Sequence, residues 1–102
     1  MLNLIPSNKK ITRQELIMLT GLSDREVRNR ISELKEQSTI LFNANESGYR
    51  RPKRIDTCSK EELLKEVDEV NHCINYIRKM KKKYNKQLRT YIAYKKVAEK
   101  YL

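Results

Sequence analysis

The side chains of this chain are suited to recognition rather than to breaking bonds. Its single histidine, His72, stands beside Cys73, and adjacent residues on a helix point too differently to share a metal easily. The other cysteine, Cys58, lies fifteen residues earlier, a spacing that fits neither a CxxC redox pair nor a paired-cysteine zinc framework, so one disulfide is the most the chain can form alone. There is no Gly-rich phosphate loop and no Ser/His/Asp or Cys/His arrangement at recognisable spacing, and the carboxylates concentrate where capping and surface charge explain them. The expectation is a protein that is not an enzyme and carries no metal or cofactor.

What remains is a set of cations, amides and hydroxyls at helical spacing. With Val27 set at zero on a wheel of about 100° per residue, Val27, Ile31 and Leu34 fall within about 60° of one another and face inward, against Leu16, Leu19 and Leu22. Arg25, Asn29 and Ser32 then lie at about 140–200° and Arg28 at about 100°, on the outward face near the helix start. Arginine can make a bidentate contact to guanine and asparagine to adenine, and the beginning of a recognition helix is what reaches base edges. Further on, Arg50, Arg51, Lys53 and Arg54 place four cations in five positions, and with Arg13 they form a set suited to phosphate contacts, which fix position without reading sequence. A solvated polar face and a charged edge strand are the plainer readings of the same residues.

The elements that must position these residues are well marked. Thr12-Arg13-Gln14-Glu15, Ser23-Asp24-Arg25-Glu26 and Ser59-Lys60-Glu61-Glu62 each match the capping box, in which a hydroxyl and a glutamate satisfy free amides at a helix start. They predict helices starting near residues 13, 24 and 60. The first buries Leu16 and Leu19 and ends at Gly21; the second begins two residues later, which makes a helix-turn-helix. Ile40 to Ala44, a turn at Asn45 to Gly48, and Tyr49 to Arg51 read as a β-hairpin, with Ile40 and Phe42 on the face that packs onto the helices.

Residues Ile11-Thr12-Arg13-Gln14-Glu15-Leu16, Gly21-Leu22-Ser23, Val27-x-x-x-Ile31-x-x-Leu34 and Gly48-Tyr49-Arg50 resemble a winged helix-turn-helix domain of the type at the amino end of bacterial biotin-repressor-like regulators. The chain is also similar to small helix-turn-helix proteins of Firmicutes phages and prophages, which pair such a domain with a charged helical tail. The resemblance covers roughly residues 2–54. It implies that Met1 to Ile5 stand in for the first helix, Ile11 for a short strand and residues 24–36 for the recognition helix. Two features depart from the pattern: Pro6 truncates the first helix, and Gln37-Ser38-Thr39 lacks the glycine that commonly ends the recognition helix. Nothing about biotin carries over, because no ligase or ligand domain is present.

After Pro52 the chain runs fifty residues without Gly or Pro. Steps of 4,3 from Leu63 give Leu63, Val67, Val70, Ile74, Ile77, Lys81, Tyr84, Leu88, Tyr91, Lys95, Ala98 and Leu102, of which ten of twelve are apolar or aromatic, a coiled-coil signal. A continuous helix over that span would be roughly 60 Å long, far more than a small domain covers, so its seam needs a partner. Residues 55–69 carry 2 basic and 6 acidic side chains and residues 70–102 carry 10 and 1, so antiparallel pairing would set acid against base. Such pairing arises between two protomers or within one chain folding back near Lys81–Lys86; the absence of Gly and Pro there favours the first. Tyr84, Tyr91, Tyr94 and Tyr101, interleaved with cations, suit either a helix core or stacking on single-stranded bases.

The formal net charge of +10 points to a polyanion. No segment reaches the 18 or so apolar residues of a membrane span, and Met1 to Pro6 lacks the features of a signal peptide, so a cytoplasmic chain without a membrane partner is expected. The whole reads as mainly α with a small β-hairpin: a winged helix-turn-helix over residues 1–55, then a long helical, coiled-coil-like segment over residues 56–102. The function expected is sequence-specific binding of double-stranded DNA by a phage-type or bacterial transcriptional regulator, paired as a homodimer or higher oligomer through its C-terminal helix, with no small-molecule ligand evident. The alternatives are an assembly module whose winged domain binds a protein, and a replication or single-strand accessory protein.

Overall fold

A computed structural model describes residues 1–43, 46–80 and 85–102, with side chains omitted at 43, 46 and 47. The protein is mainly helical with one small antiparallel sheet. Helices α1 (Arg13–Thr20) and α2 (Asp24–Gln37) come first, then strands β1 (Leu41–Asn43) and β2 (Glu46–Arg50), then α3 (Lys60–Arg78) and α4 (Asn85–Glu99). Single 3-10 turns stand at Leu2–Leu4 and Ile55–Thr57. All three capping boxes form, with Glu15, Glu26 and Glu62 as the returning carboxylates. Gly21 takes φ 71°, the left-handed backbone that lets α1 stop and α2 start three residues later.

One core lies under the first half. Ile5, Ile11, Leu16, Val27, Ile31 and Ile40 are buried together, so α1 and α2 close over the 3-10 turn and the segment before α1. Ile11 pairs with Tyr49 through both backbone hydrogen bonds, which ties that segment to β2. Gly48 permits the approach: a Cβ there would stand 3.0 Å from that of Lys10. Leu19, expected in this core, is instead 63% exposed beside Met18 at 79%, because Leu16 alone of the α1 positions points straight at α2. Ile40 and Phe42 also part company. Ile40 joins the first core, whereas Leu41 is buried in a second core against α3 and α4, with Phe42 packed at its edge.

That second core is built by the chain folding back on itself, the less favoured of the two pairings expected. α3 ends at Arg78, α4 begins at Asn85, and the two pack on each other as a helical hairpin, α3 also lying on β1 and α4 on α2. Of the seam residues, Leu63, Val70, Ile74, Ile77 and Tyr91 are buried within the single chain, and Val67 and Leu88 are half-buried. Tyr84 lies outside the described residues. The seam therefore finds its partner intramolecularly. No Gly or Pro is needed for the stop: the last turn of α3 tightens, with Lys79 N–H on the Tyr76 carbonyl and Met80 N–H on that of Ile77. The cations of Arg78 and Lys79 suit the negative end of the helix dipole.

The contact between α2 and α4 is polar. Gln87 Nε2 donates to the Ser32 carbonyl and to its Oγ, at 3.1 and 2.8 Å. Thr90 Oγ1 donates to the Lys35 carbonyl at 3.0 Å, and Thr39 Oγ1 to the Thr90 carbonyl at 3.0 Å. The last carbonyls of a helix lack partners within it. α2 ends without a glycine, at an extended Ser38, and α4 supplies a donor to its last turn from outside. Tyr91 OH likewise donates to the Ile40 carbonyl; burial pushes that phenol's pKa far up, so it stays a donor.

Candidate nucleic-acid interface

The first two turns of α2 carry an uncommitted polar face. Arg25, Asn29 and Arg30 are exposed and engage no partner among the described residues. Arg28, with its side chain 58% exposed, reaches one oxygen of Asp24 at 3.1 Å, and Arg13 Nε takes the other at 2.7 Å. Asp24 thus holds both guanidiniums at the junction of α1 and α2 while leaving other N–H groups of each directed elsewhere. Ser32 differs from the other base-reading candidates: it is half-buried and its hydroxyl accepts from Gln87. One turn further on, Glu33 and Glu36 are exposed, and their charge disfavours phosphate there. The face that can meet an anionic groove is the start of α2.

The cations after the hairpin are mostly committed elsewhere. Arg50 is 8% exposed and makes a two-pronged pair with Glu66, Nη2 to Oε1 at 2.7 Å and Nη1 to Oε2 at 3.0 Å, while Nη2 also reaches Glu69 at 2.8 Å. Burial opposes its charge, but the hydrogen bonds and charges of Glu66 and Glu69 outweigh that and hold its pKa above the usual value. Arg50 is therefore a fastener between β2 and α3, not a phosphate contact. Arg51 Nε donates to the Ile5 carbonyl at 2.6 Å. Lys53 is bound to Glu62 at 2.9 Å; the hydrogen bond between them raises the lysine pKa and lowers that of the glutamate. Arg54, its side chain 80% exposed, pairs only with the neighbouring Asp56. The acidic stretch expected to face the basic tail faces these residues instead, since Glu62, Glu66 and Glu69 are taken by Lys53 and Arg50.

This redistribution leaves the hairpin tip electropositive. Arg78, Lys79 and Lys86 are exposed with no ion-pair partner among the described residues. The tip is not a remote tail: Gln87 bonds to Ser32, and Met80 shares a groove with Arg13 and Arg28. Sequence spacing places these residues on a helix but cannot show that the helix turns back beside α2.

Lys35 went unmarked in the sequence because it sits on the flank of α2. Its Nζ lies 3.7 Å above the ring of Phe42, and burial lowers its pKa to about 8. Cys58 and Cys73 are both free; Cys73 is a core residue whose thiol hydrogen-bonds the backbone of Phe42. Burial, the leading cause, pushes its pKa up and keeps it a thiol. Tyr94 donates to the Lys53 carbonyl at 2.8 Å, and with Tyr91 it serves packing rather than an open stacking surface, whereas Tyr101 is exposed. No helix among the described residues is long and apolar enough to cross a membrane. No protein-family profile, curated protein or solved structure matches the chain.

Proposed function

We propose that the chain is a winged helix-turn-helix protein that binds duplex DNA sequence-specifically, as a cytoplasmic transcriptional regulator of phage or bacterial type. The observation that carries this reading is the start of α2. Directly after a left-handed turn at Gly21 it presents Arg25, Arg28 and Asn29 to solvent, while Val27 and Ile31 on its other side are buried. Guanidinium and amide groups at that position are the donors that discriminate guanine and adenine in the major groove. The cations of the hairpin tip and Arg13 lie on the Arg28 side of this face and supply phosphate contacts, and Arg54, exposed beyond β2 near the start of α3, supplies one more. Ser32 stands at its margin.

Selection of bound sites from random duplex DNA tests the reading. The expected result is a defined site whose preference is lost on replacing Arg28 and Asn29 by Ala, with salt-sensitive general binding retained. A preference that survives both substitutions removes α2 from the readout. Half-site symmetry in the selected sequence reports pairing of two copies. Because the described part of the 4,3 seam is mostly occupied within the chain, the exposed apolar positions left for a second copy are Leu64 and Tyr76 on α3, Met80 after it, Val97 on α4, and Tyr101 and Leu102 beyond.

The exposed Met18 and Leu19 on α1 favour a second reading, in which the first domain docks on a protein. A correctly folded chain that binds no duplex at low salt supports that reading.

A further inference from the structure

We propose that the groove between α2, the sheet and the ends of α3 and α4 is a receptor for a compact organic anion with a planar ring, of the aryl carboxylate or aryl phosphate kind. The groove has a volume of about 210 Å³. Pockets for drug-sized ligands run from about 300 Å³ upward, so the fitting occupant is a single ring with one charged group. Its lining combines the rings of Phe42, Tyr49 and Tyr76 with the cations of Arg13, Arg28 and Lys35, and no carboxylate lines it among the described residues.

Lys35 is the central observation. An ammonium taken partly out of water ordinarily has an anion beside it. This one has the rings of Phe42 at 3.7 Å and Tyr49 at 6.0 Å and no ion pair or hydrogen-bond acceptor among the described residues. The depressed pKa of about 8 reflects that desolvation. A carboxylate or phosphate placed in the groove supplies the missing counter-charge, and the guanidiniums of Arg13 and Arg28, each giving one arm to Asp24, have further N–H groups to offer. The hydroxyl of Ser32 accepts from Gln87 and keeps its own proton to donate. Tyr76, nearly perpendicular to Phe42 at 5.3 Å and 39% exposed, is the ring against which a flat molecule can rest.

Arg28 and Ser32 belong to both the groove and the α2 face, so an occupant also competes with duplex DNA. This second part rests on the DNA-binding reading; binding of the anion does not.

The test titrates the full chain with benzoate and phenyl phosphate, followed by calorimetry and amide chemical shifts. Benzamide (ring without charge) and inorganic phosphate (charge without ring) serve as matched controls. At least one charged aryl probe binds ten times or more tighter than both controls, shifting amides of α2 and β1. Lys35→Met, which keeps the stem and removes the charge, weakens it at least tenfold, and Tyr76→Leu weakens it severalfold, with circular dichroism unchanged in both. Equal binding of benzamide or of inorganic phosphate overturns the receptor, as does an unchanged affinity in Lys35→Met. If the probe binds but leaves the affinity for duplex unmoved, the competition is overturned and the receptor stands. If the probe binds and no duplex does, the DNA-binding reading alone fails.

Discussion

Arg50 and Arg25 are the same residue type with opposite assignments, and the difference is what stands within a few ångströms. Arg25 is exposed with no partner among the described residues; Arg50 has two carboxylates and the Ser7 carbonyl, whose oxygen accepts from Nη1 at 3.1 Å. Taking a guanidinium and Glu66 out of water is costly, and only a geometry as complete as this one offsets it. Glu66 is fully used, since Lys53 N–H also donates to it at 2.9 Å. Removing one partner strands the other. Glu66→Ala is therefore expected to lower unfolding free energy by about 3–5 kcal/mol, and Arg50→Ala similarly, whereas the double change Arg50→Met with Glu66→Leu recovers most of the loss. Urea denaturation of the four chains measures this. An Arg50→Ala chain of unchanged stability but weakened DNA binding would return Arg50 to the wing.

At the scale of elements, the helical hairpin decides what the 4,3 spacing means. The same spacing serves an intermolecular coil and an intramolecular hairpin, because both bury one stripe per helix. Ile74, 3% exposed in the core shared by α3, α4 and β1, distinguishes them. Ile74→Asp is expected to cost at least about 3 kcal/mol, since it replaces a core side chain with an unpaired charge. The wild-type transition midpoint stays independent of protein concentration, as for a chain whose seam closes on itself. A midpoint that rises with concentration would place the seam between copies. The starts of α1, α2 and α3 were legible in the sequence because a capping box joins residues only three positions apart. The destination of α4 was not: Gln87 and Thr90 bond to α2 from 55 residues away, and nothing in their own neighbourhood announces it. The missing glycine after α2 marked only a departure from the family pattern; the donor that α4 brings to its last turn is a finding of the structure. The polar face of α2 was legible in part. Helical spacing brought Arg25, Arg28 and Asn29 to solvent together, but it could not reveal that α4 covers Ser32, the next turn of the same face.

For the whole molecule, folding sorts the charge. The excess of +10 is segmented along the sequence, and the acids of α3 are drawn toward Arg50 and Lys53, on the side where the wing was expected to contact phosphate. Cations without an ion pair among the described residues include Arg25 on α2 and Arg78, Lys79 and Lys86 at the hairpin tip, with others along α4. On the proposed DNA-binding function, sequence readout and phosphate affinity belong to different helices and can be separated by experiment. Each phosphate neutralised on a duplex contributes about −0.9 to the slope of log K against log salt. Replacing Lys79 and Lys86 by Ala is expected to make that slope shallower by about 2 while the selected DNA sequence stays the same. Arg54→Ala should remove about one more, and Arg50→Ala none beyond its effect on folding. Anisotropy titrations of a labelled duplex from 50 to 300 mM salt (values on the order of those over which such slopes are read) provide the measurement. A slope unmoved by the Lys79 and Lys86 changes would detach the hairpin tip from the duplex. If the same changes abolish binding to a single strand instead, the basic residues serve an accessory role on unpaired DNA, and α2 must hold the duplex alone.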